Sequence, residues 1–183
     1  KSDPPSGENP FAIAAIRLLI LTGCRKSEIL TLKWDWVDFD RSCLRLPDSK
    51  TGAKVVPLGP PALKLLSELP RIEGNGHVMP SMAGESHFVG LQKVWTRIRA
   101  RAGVPDVRLH DLRHSFASFG AAGGDSLYVI GKLLGHKQSQ TTQRYAHLAD
   151  DPLRAAANRI SNHIAAVMDN PNADVIALPK RPA

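Results

Sequence analysis

Residues 9–23 read NPFAIAAIRLLILTG, and this stretch organises the fold. Asn9 is a favoured helix N-cap, and Pro10 suits the first helical position because it lacks the amide hydrogen that would go unpaired there. Residues 11–21 are apolar on nearly every face of a helix. A helix that is apolar all round is buried on all sides. We therefore predict a central helix that ends at Gly23, with the rest of the chain packed around it.

Outward from this helix, short β-prone runs are followed by segments with helical spacing. Turn-forming residues separate three runs that predict a small antiparallel sheet, with strands at 37–39, 43–46 and 54–58. Apolar periodicity, bounded by prolines and glycines, predicts further helices at 26–33, 60–69, 87–102, 110–122, 126–134, 141–148 and 152–168. The predicted fold class is mainly α with a small three-stranded antiparallel sheet (α+β).

The predicted organisation is a linker remnant at 1–9, one folded domain at 10–168 and a flexible C-terminal tail at 169–183. The chain has 183 residues, of which 43% are hydrophobic and 22% charged, as in an ordinary globular domain. It contains no apolar run of the ~18 residues that a membrane span needs. Only two cysteines occur, Cys24 and Cys43, so a disulfide framework is excluded and a reducing, cytoplasmic location is expected.

The net charge of +7 is concentrated in one part of the chain. Residues 91–145 contain nine basic and three acidic residues, whereas the segments on either side are close to neutral. Such a stretch is typical of a face that binds a polyanion, although it also fits a solvated basic surface.

Two motifs place an arginine where it could face a cleft. Arg25 follows a glycine at the end of the buried helix, and Glu28 lies three residues on, where it could hold the guanidinium in place. The alternative is an ordinary surface ion pair. In the second motif, His110 and Arg113 share a helix face and could converge on one phosphate. Zinc binding by His110 and His114 is disfavoured because the His-Glu-x-x-His pattern is missing, and His114 is expected to pack or cap.

Three further residues complete the set of candidates. His136 follows a predicted C-cap glycine, which would fix its backbone at the edge of a cleft, although such a residue is often only a helix end. Of the two tyrosines, Tyr128 has core-like helical spacing, whereas Tyr145 follows a polar stretch and is expected to reach solvent or a substrate. Lys50 lies in the predicted hairpin turn, and Lys54, at the start of the next strand, is its competitor.

These residue types together fit attack on a phosphodiester. The two arginines could neutralise the non-bridging oxygens of a pentacoordinate phosphorus, and the tyrosine would be the nucleophile. An imidazole such as that of His110 would take the phenol proton, the hairpin lysine would protonate the leaving oxygen, and His136 would hydrogen-bond the phosphate. The covalent product conserves the bond energy for rejoining, so neither a metal nor a nucleotide cofactor is expected.

The motifs occur in a familiar order. TGCRKSE at 22–28, SKT at 49–51 before VPL, HDLRHSFA at 110–117, LLGH at 133–136 and Tyr145 resemble those of the tyrosine recombinase (phage integrase) family, over about residues 9–164. The resemblance implies a set of catalytic residues, namely Arg25, Lys50, His110, Arg113, His136 and Tyr145. It also implies Glu28 as the support of the first arginine, and a 3′-phosphotyrosyl link to double-stranded DNA.

The resemblance carries expectations about assembly as well. Family members act as DNA-bound tetramers in which a C-terminal segment packs on a neighbouring subunit, and 152–168 is the candidate here. They also carry an N-terminal core-binding domain, so we expect this chain to be a catalytic-domain fragment with weak, salt-sensitive DNA binding and no membrane partner. Two alternatives remain: a type IB topoisomerase and a recombinase-derived DNA-binding protein that does not cleave.

Overall fold

The computed structural model describes residues 7–47, 52–82, 84–136 and 140–146, together with 157–158, 160–162 and 164–165. Its first helix, α1, spans Pro10–Thr22 and is the central helix that the sequence predicts. The Asn9 side chain accepts a hydrogen bond from the Phe11 amide at 2.8 Å, and Gly23 ends the helix in the left-handed conformation. Helix α1 packs against four other helices, as its apolar surface requires.

A small antiparallel sheet follows, in the order β1-β2-β3. Its strands are β1 (Val37–Asp38), β2 (Cys43–Leu46) and β3 (Lys54–Pro57). In β2, Leu44 and Leu46 point into the core while Arg45 faces solvent, which is the alternation expected of a sheet with one wet face. The three predicted strands and the predicted fold class are confirmed.

The other helices are α2 (Lys26–Leu30), α3 (Pro60–Glu68), α4 (Leu91–Arg101), α5 (Asp111–Ala122), α6 (Leu127–Leu134) and α7 (Gln140–Gln143), with a 3₁₀ turn at Trp34–Trp36. Three predicted helices were too long. The helix predicted at 141–148 ends at Gln143, because residues 144–145 form a turn. Helix α2 ends at Leu30 rather than residue 33, because the chain turns into the 3₁₀ segment. Helix α4 begins at Leu91 rather than residue 87, because Gly90 has φ +93° and His87 bridges Pro80. Its C-cap is Ala102, one residue before the predicted glycine.

The core has two parts. The larger surrounds α1 and includes the inner face of the sheet. The smaller joins α5, α6 and the turn after α7, and its buried members are Ala117, Ala121, Ile130, Leu134 and Tyr145. Both cysteines are buried and free.

The predicted core position of Tyr128 is wrong, since 71% of this residue is exposed. The inward stripe of α6 runs through Ile130, Gly131 and Leu134. Tyr128 instead shares the outer face with Lys132, whose Nζ lies 5.4 Å from the centroid of the phenol ring.

Among the residues described, no helix is both long enough and apolar enough to cross a membrane. Parts of the predicted C-terminal helix at 157–158, 160–162 and 164–165 are helical. The predicted tail at 169–183 and the linker residues 1–6 lie outside the described residues.

Candidate active site

Arg113 is the most buried cation of the site, with 4% of the residue exposed. Its Nη1 donates to the carbonyl oxygen of Gly23 at 2.5 Å, and its Nη2 donates to that of Leu134 at 2.6 Å. These carbonyls lie at the C-terminal ends of α1 and α6, where unpaired oxygens and the helix dipole attract a positive charge. Burial, reinforced by the nearby Arg25, lowers the pKa of Arg113 from its usual value. One guanidinium therefore joins two helix ends across the floor of a cleft.

Gly23 makes this approach possible. Its φ of +63° lies in the left-handed region, and a Cβ at this position would lie 2.7 Å from Phe116 Cδ1 and 2.8 Å from Leu134 Cδ2. Both the backbone conformation and the space exclude a side chain.

Glu28 organises the second arginine. Its Oε1 accepts from Arg25 Nη1 at 2.9 Å, and its Oε2 accepts both from the Arg25 amide and from Lys54 Nζ at 2.8 Å. Only 3% of the Glu28 side chain is exposed. Burial alone would raise the pKa of this carboxyl, but the hydrogen bonds from Lys54 and Arg25 outweigh burial and lower it. The expected Arg25–Glu28 contact is present, and it is a buried network rather than a surface pair.

Lys54 does not occupy the position that a proton donor in a mobile loop would need. Its ammonium pairs with Glu28, and only 11% of its side chain is exposed. Lys50 lies outside the described residues, so its place in the site stays a prediction.

A cavity of about 350 Å³ opens between the start of α2, the start of α4 and the start of α5. Its lining residues are Cys24, Lys26, Gln92, Arg108, Leu109, His110 and Arg113. No carboxylate belongs to this lining in the described part of the chain. Partial desolvation, together with the charge of Arg113, lowers the pKa of His110. The cavity is therefore suited to an anion.

Tyr145 does not reach solvent, since only 5% of the residue is accessible, and its contact with a substrate stays a prediction. The ring packs in the smaller core, and its Oη lies 2.5 Å from Nδ1 of His114. Burial raises the pKa of this phenol, while the charges of Arg144 and Arg113 oppose the rise. The polar residues before Tyr145 suggested exposure, but they form the short helix α7 that carries the ring inward.

His136 follows Gly135, which ends α6 in the left-handed conformation as predicted. Its Nδ1 lies 2.9 Å from Oγ1 of Thr142, a residue 1% exposed. Burial, then the charges of Arg113 and Arg25, lower the pKa of His136 to about 4. The imidazole is therefore neutral at neutral pH, and the contact of Nδ1 with Thr142 leaves Nε2 as the ring nitrogen for a further partner.

Sequence reasoning missed two side chains of this site. His114 was expected only to pack or cap, yet it contacts the phenol hydroxyl, and Thr142 was not singled out. A signal for His114 was present, because it lies one turn after His110 on the same helix face, and the two rings meet edge-on at 5.0 Å between centroids.

Five of the six predicted residues form one electrostatic neighbourhood. Arg25 and Arg113 both act on the pKa values of His110 and His136, and Arg113 also acts on Tyr145. Of these five residues, His110 and Arg113 line the cavity, and the other three influence this region or one another through their charges or dipoles.

The model of the phage integrase family matches residues 11–151, which cover most of the chain. The chain therefore belongs to the phage integrase, or tyrosine recombinase, family. It is 32% identical over 155 residues to the tyrosine recombinase XerC of Mycobacterium tuberculosis (strain ATCC 25177 / H37Ra), covering 79% of this chain and 52% of XerC. It is 30% identical over 142 residues to the prophage integrase IntF of Escherichia coli (strain K12), covering 75% of this chain and 30% of IntF.

The fold is also found in a solved structure of this family. The catalytic domain of bacteriophage HP1 integrase matches with a TM-score of 0.62 and 27% identity, covering 91% of this chain and 86% of that domain. The chain spans about half of the length of XerC and less than a third of that of IntF.

Proposed function

We propose that residues 10–168 are the catalytic domain of a site-specific DNA recombinase or integrase. The domain cuts and rejoins double-stranded DNA through a covalent 3′-phosphotyrosyl intermediate, without a metal or nucleotide. One observation supports this proposal: Arg25, Arg113, His110, His136 and Tyr145 lie in one electrostatic neighbourhood, in a chain of the phage integrase family.

In the proposed reaction, the scissile phosphate binds in the cavity. Arg25 and Arg113 face its non-bridging oxygens, where charge develops as phosphorus becomes pentacoordinate. By analogy with single oxyanion donors, loss of either guanidinium would remove about 2–4 kcal/mol of transition-state stabilisation. The existing contacts of both arginines with protein oxygens hold them in place before DNA arrives, which lowers the cost of organising the site.

Tyr145 is the proposed nucleophile. Its oxygen forms a bond to phosphorus as the bond to the 5′-oxygen breaks, and Lys50 protonates that leaving oxygen. His136 is neutral, and we assign its outward nitrogen as a hydrogen-bond donor to the phosphate, with Thr142 bonded to the other nitrogen. His110, on the cavity wall, is the second phosphate-binding imidazole. Because the phosphotyrosine keeps the energy of the broken ester, a returning 5′-hydroxyl rejoins the strand.

The proposed assembly is a tetramer on DNA that forms through the C-terminal segment. Ile160 and Ile164 lie one helical turn apart, and they are 59% and 51% exposed. An apolar pair on an exposed helix would be covered by a neighbouring subunit. We expect Ile160→Asp with Ile164→Asp to reduce the mass of the DNA complex in sedimentation without changing monomer folding. Cytoplasmic, DNA-associated location belongs to the same proposal.

An adduct assay tests the proposed function. A pool of nicked duplexes with randomised sequence is incubated with the chain in EDTA, and protein-linked DNA is recovered after denaturation in SDS. We expect a protease-sensitive adduct whose sequences define the recognition site. Tyr145→Phe abolishes the adduct, whereas the matched control Tyr128→Phe retains it. The reverse pattern contradicts the assignment, and DNA binding without an adduct in the wild type favours the non-cleaving alternative.

The choice between the two lysines has its own test. A substrate with a bridging 5′-phosphorothiolate has a leaving group that needs no proton. We expect it to restore cleavage in Lys50→Ala and not in Lys54→Ala, because Lys54 contacts Glu28. Rescue of the Lys54 variant alone would reverse the assignment.

A further inference from the structure

The hydroxyl of Tyr145 has a single well-defined partner within the described contacts, and that partner is an imidazole. Tyr145 Oη lies 2.5 Å from His114 Nδ1, and the two rings are tilted by 45° at 6.1 Å between centroids. His114 lies on α5, one residue after Arg113, so its position is set by the same helix that carries the buried guanidinium. The contact joins α5 to the segment after α7 across 31 residues of sequence.

We propose that His114 is the general base of the reaction: its Nδ1 accepts the proton of Tyr145 as the phenol oxygen attacks phosphorus. This inference rests on the proposed function. It gives the base role to the imidazole that touches the nucleophile, and it leaves His110 at the phosphate.

Geometry favours His114 over His110 for this role. A general base must lie within hydrogen-bond reach of the proton that it removes, and the Nδ1–Oη distance meets that condition before any rearrangement. His110 stands at the start of α5 and lines the cavity, with its ring edge-on to that of His114. The two imidazoles therefore have separate roles: His114 contacts the nucleophile, and His110 faces the phosphate of the substrate.

The surroundings of His114 favour the neutral form of its imidazole, which is the form that can accept a proton. Burial is the main cause that lowers its pKa, and His110 and Arg144 lower it further. Asp111, on the preceding helical turn, raises the pKa, and Arg108, which is paired with that carboxylate, lowers it slightly. Since burial also raises the pKa of the phenol, attack at neutral pH needs a base in contact with the hydroxyl.

Cleavage replaces one ester bond of the phosphate by another. The Tyr145 Oη–phosphorus bond forms while the bond from phosphorus to the 5′-oxygen breaks. The phenol proton moves to His114 Nδ1, which gives an imidazolium, and the leaving oxygen receives its proton from Lys50. In rejoining, the 5′-hydroxyl gives its proton to the neutral amine of Lys50 as its oxygen attacks phosphorus, and the imidazolium returns its proton to the departing phenolate.

The test uses His114→Asn, because an asparagine side chain can hydrogen-bond the phenol yet cannot take its proton. Cleavage of the selected nicked duplex with a 5′-phosphorothiolate is measured from pH 7 to pH 9.5, so that the leaving group needs no proton. At pH 7 we expect His114→Asn to cleave about 100-fold more slowly than the wild type. Its rate then rises about tenfold per pH unit as phenolate forms unaided.

Two comparisons make the result specific. His110→Asn should also lose activity, but its loss should persist at high pH because a phosphate contact is missing rather than a base. His87→Asn is the matched control, because His87 is not part of the cavity lining and its ring lies against that of His77, and this variant should cleave like the wild type. A second measurement is independent of DNA: in a Tyr128→Phe background, the absorbance of phenolate reports Tyr145 alone, and His114→Asn should change its titration while leaving the far-ultraviolet spectrum intact.

The outcomes separate the two levels of the inference. A wild-type adduct together with a His114→Asn rate within threefold of wild type overturns the role of His114 alone. A rate that falls but does not recover with pH also overturns it, because His114 would then only position the ring. Absence of any adduct in the wild type overturns both the proposed function and this role.

Discussion

Gly23 shows how a single position supports both the fold and the site. It ends α1, and its carbonyl oxygen accepts from Arg113, while the absence of a side chain leaves room for Phe116 and Leu134. Any Cβ here meets both a left-handed backbone and a filled space. The residue that ends the central helix is thus also the one that admits the buried guanidinium.

Replacing a left-handed glycine by alanine destabilises a protein through the backbone conformation alone. We expect Gly23→Ala to lower the free energy of unfolding by more than this backbone cost. The control is Gly103→Ala, whose φ is +71° but whose Cβ would have no atom within 4 Å. The control should lose about 1–2 kcal/mol from backbone conformation, and Gly23→Ala a further ~1–3 kcal/mol from overpacking. Urea unfolding of both variants measures the difference, and equal losses would contradict the packing argument.

His136 predicts a dependence of stability on pH. Its pKa is about 4 in the folded chain and near 6.5 when unfolded. Between these values the unfolded state binds a proton that the folded state does not, so stability falls as pH decreases from about 6.5 towards 4. The Tm of the wild type should therefore decline more steeply over this interval than that of His136→Gln. Parallel curves for the two proteins would show that His136 does not contribute.

At the scale of elements, Glu28 connects α2 to the sheet. One carboxylate accepts hydrogen bonds from the backbone and guanidinium of Arg25 and from Lys54 at the start of β3. The strand that follows the hairpin is therefore joined to the first arginine through a buried anion. The hairpin and that arginine are coupled in position, although 26 residues separate Glu28 from Lys54.

Lys54→Met should lower the free energy of unfolding by about 1.5–3 kcal/mol, since a charged hydrogen bond to a buried carboxylate is lost. The matched control is Lys64→Met, which removes an exposed pair with Glu68 at 3.6 Å and should cost less than about 1 kcal/mol. Thermal or urea unfolding compares the two variants. A larger loss in the control would mean that Glu28 does not depend on Lys54.

At the scale of the whole molecule, the basic stretch 91–145 does not act as one surface. Glu8, whose side chain is 2% exposed, pairs with Arg97 and Arg101, and Asp111 pairs with Arg108. The contacts of Glu8 secure the start of α1 against α4, whereas the Arg108–Asp111 pair lies at the start of α5. Part of the charge excess that suggested a polyanion-binding face therefore has a structural role, and the rest is available for the proposed contacts with DNA.

DNA binding at different salt concentrations should separate these roles. Lys26 lines the cavity, so Lys26→Gln should reduce the slope of log K against log salt by about one, as expected for one lost phosphate contact. Arg97→Gln should change the slope less and instead lower the Tm, because it releases Glu8. Equal changes in slope for both variants would indicate that Arg97 also faces DNA.

Features that depend on neighbouring residues can be predicted from the sequence. The bounds of α1, the three strands and the glycine C-caps of α1, α5 and α6 follow from local propensity, capping and periodicity, and the structure confirms them. The prediction that Arg25 contacts Glu28 is of the same kind, because the two residues are three apart on a short helix.

Contacts between side chains that are distant in the sequence follow only from the tertiary packing. Arg113 reaches Gly23 across 90 residues, Tyr145 reaches His114 across 31, and Lys54 reaches Glu28 across 26. The polar residues before Tyr145 suggested exposure to solvent, and the helical spacing of Tyr128 suggested burial. Both indications were misleading, because burial depends on which face of a helix packs against another element. The local sequence pattern specifies which face of a helix is apolar, whereas the packing of α5, α6 and α7 determines what that face contacts. In this protein that packing brings Tyr145 into contact with His114.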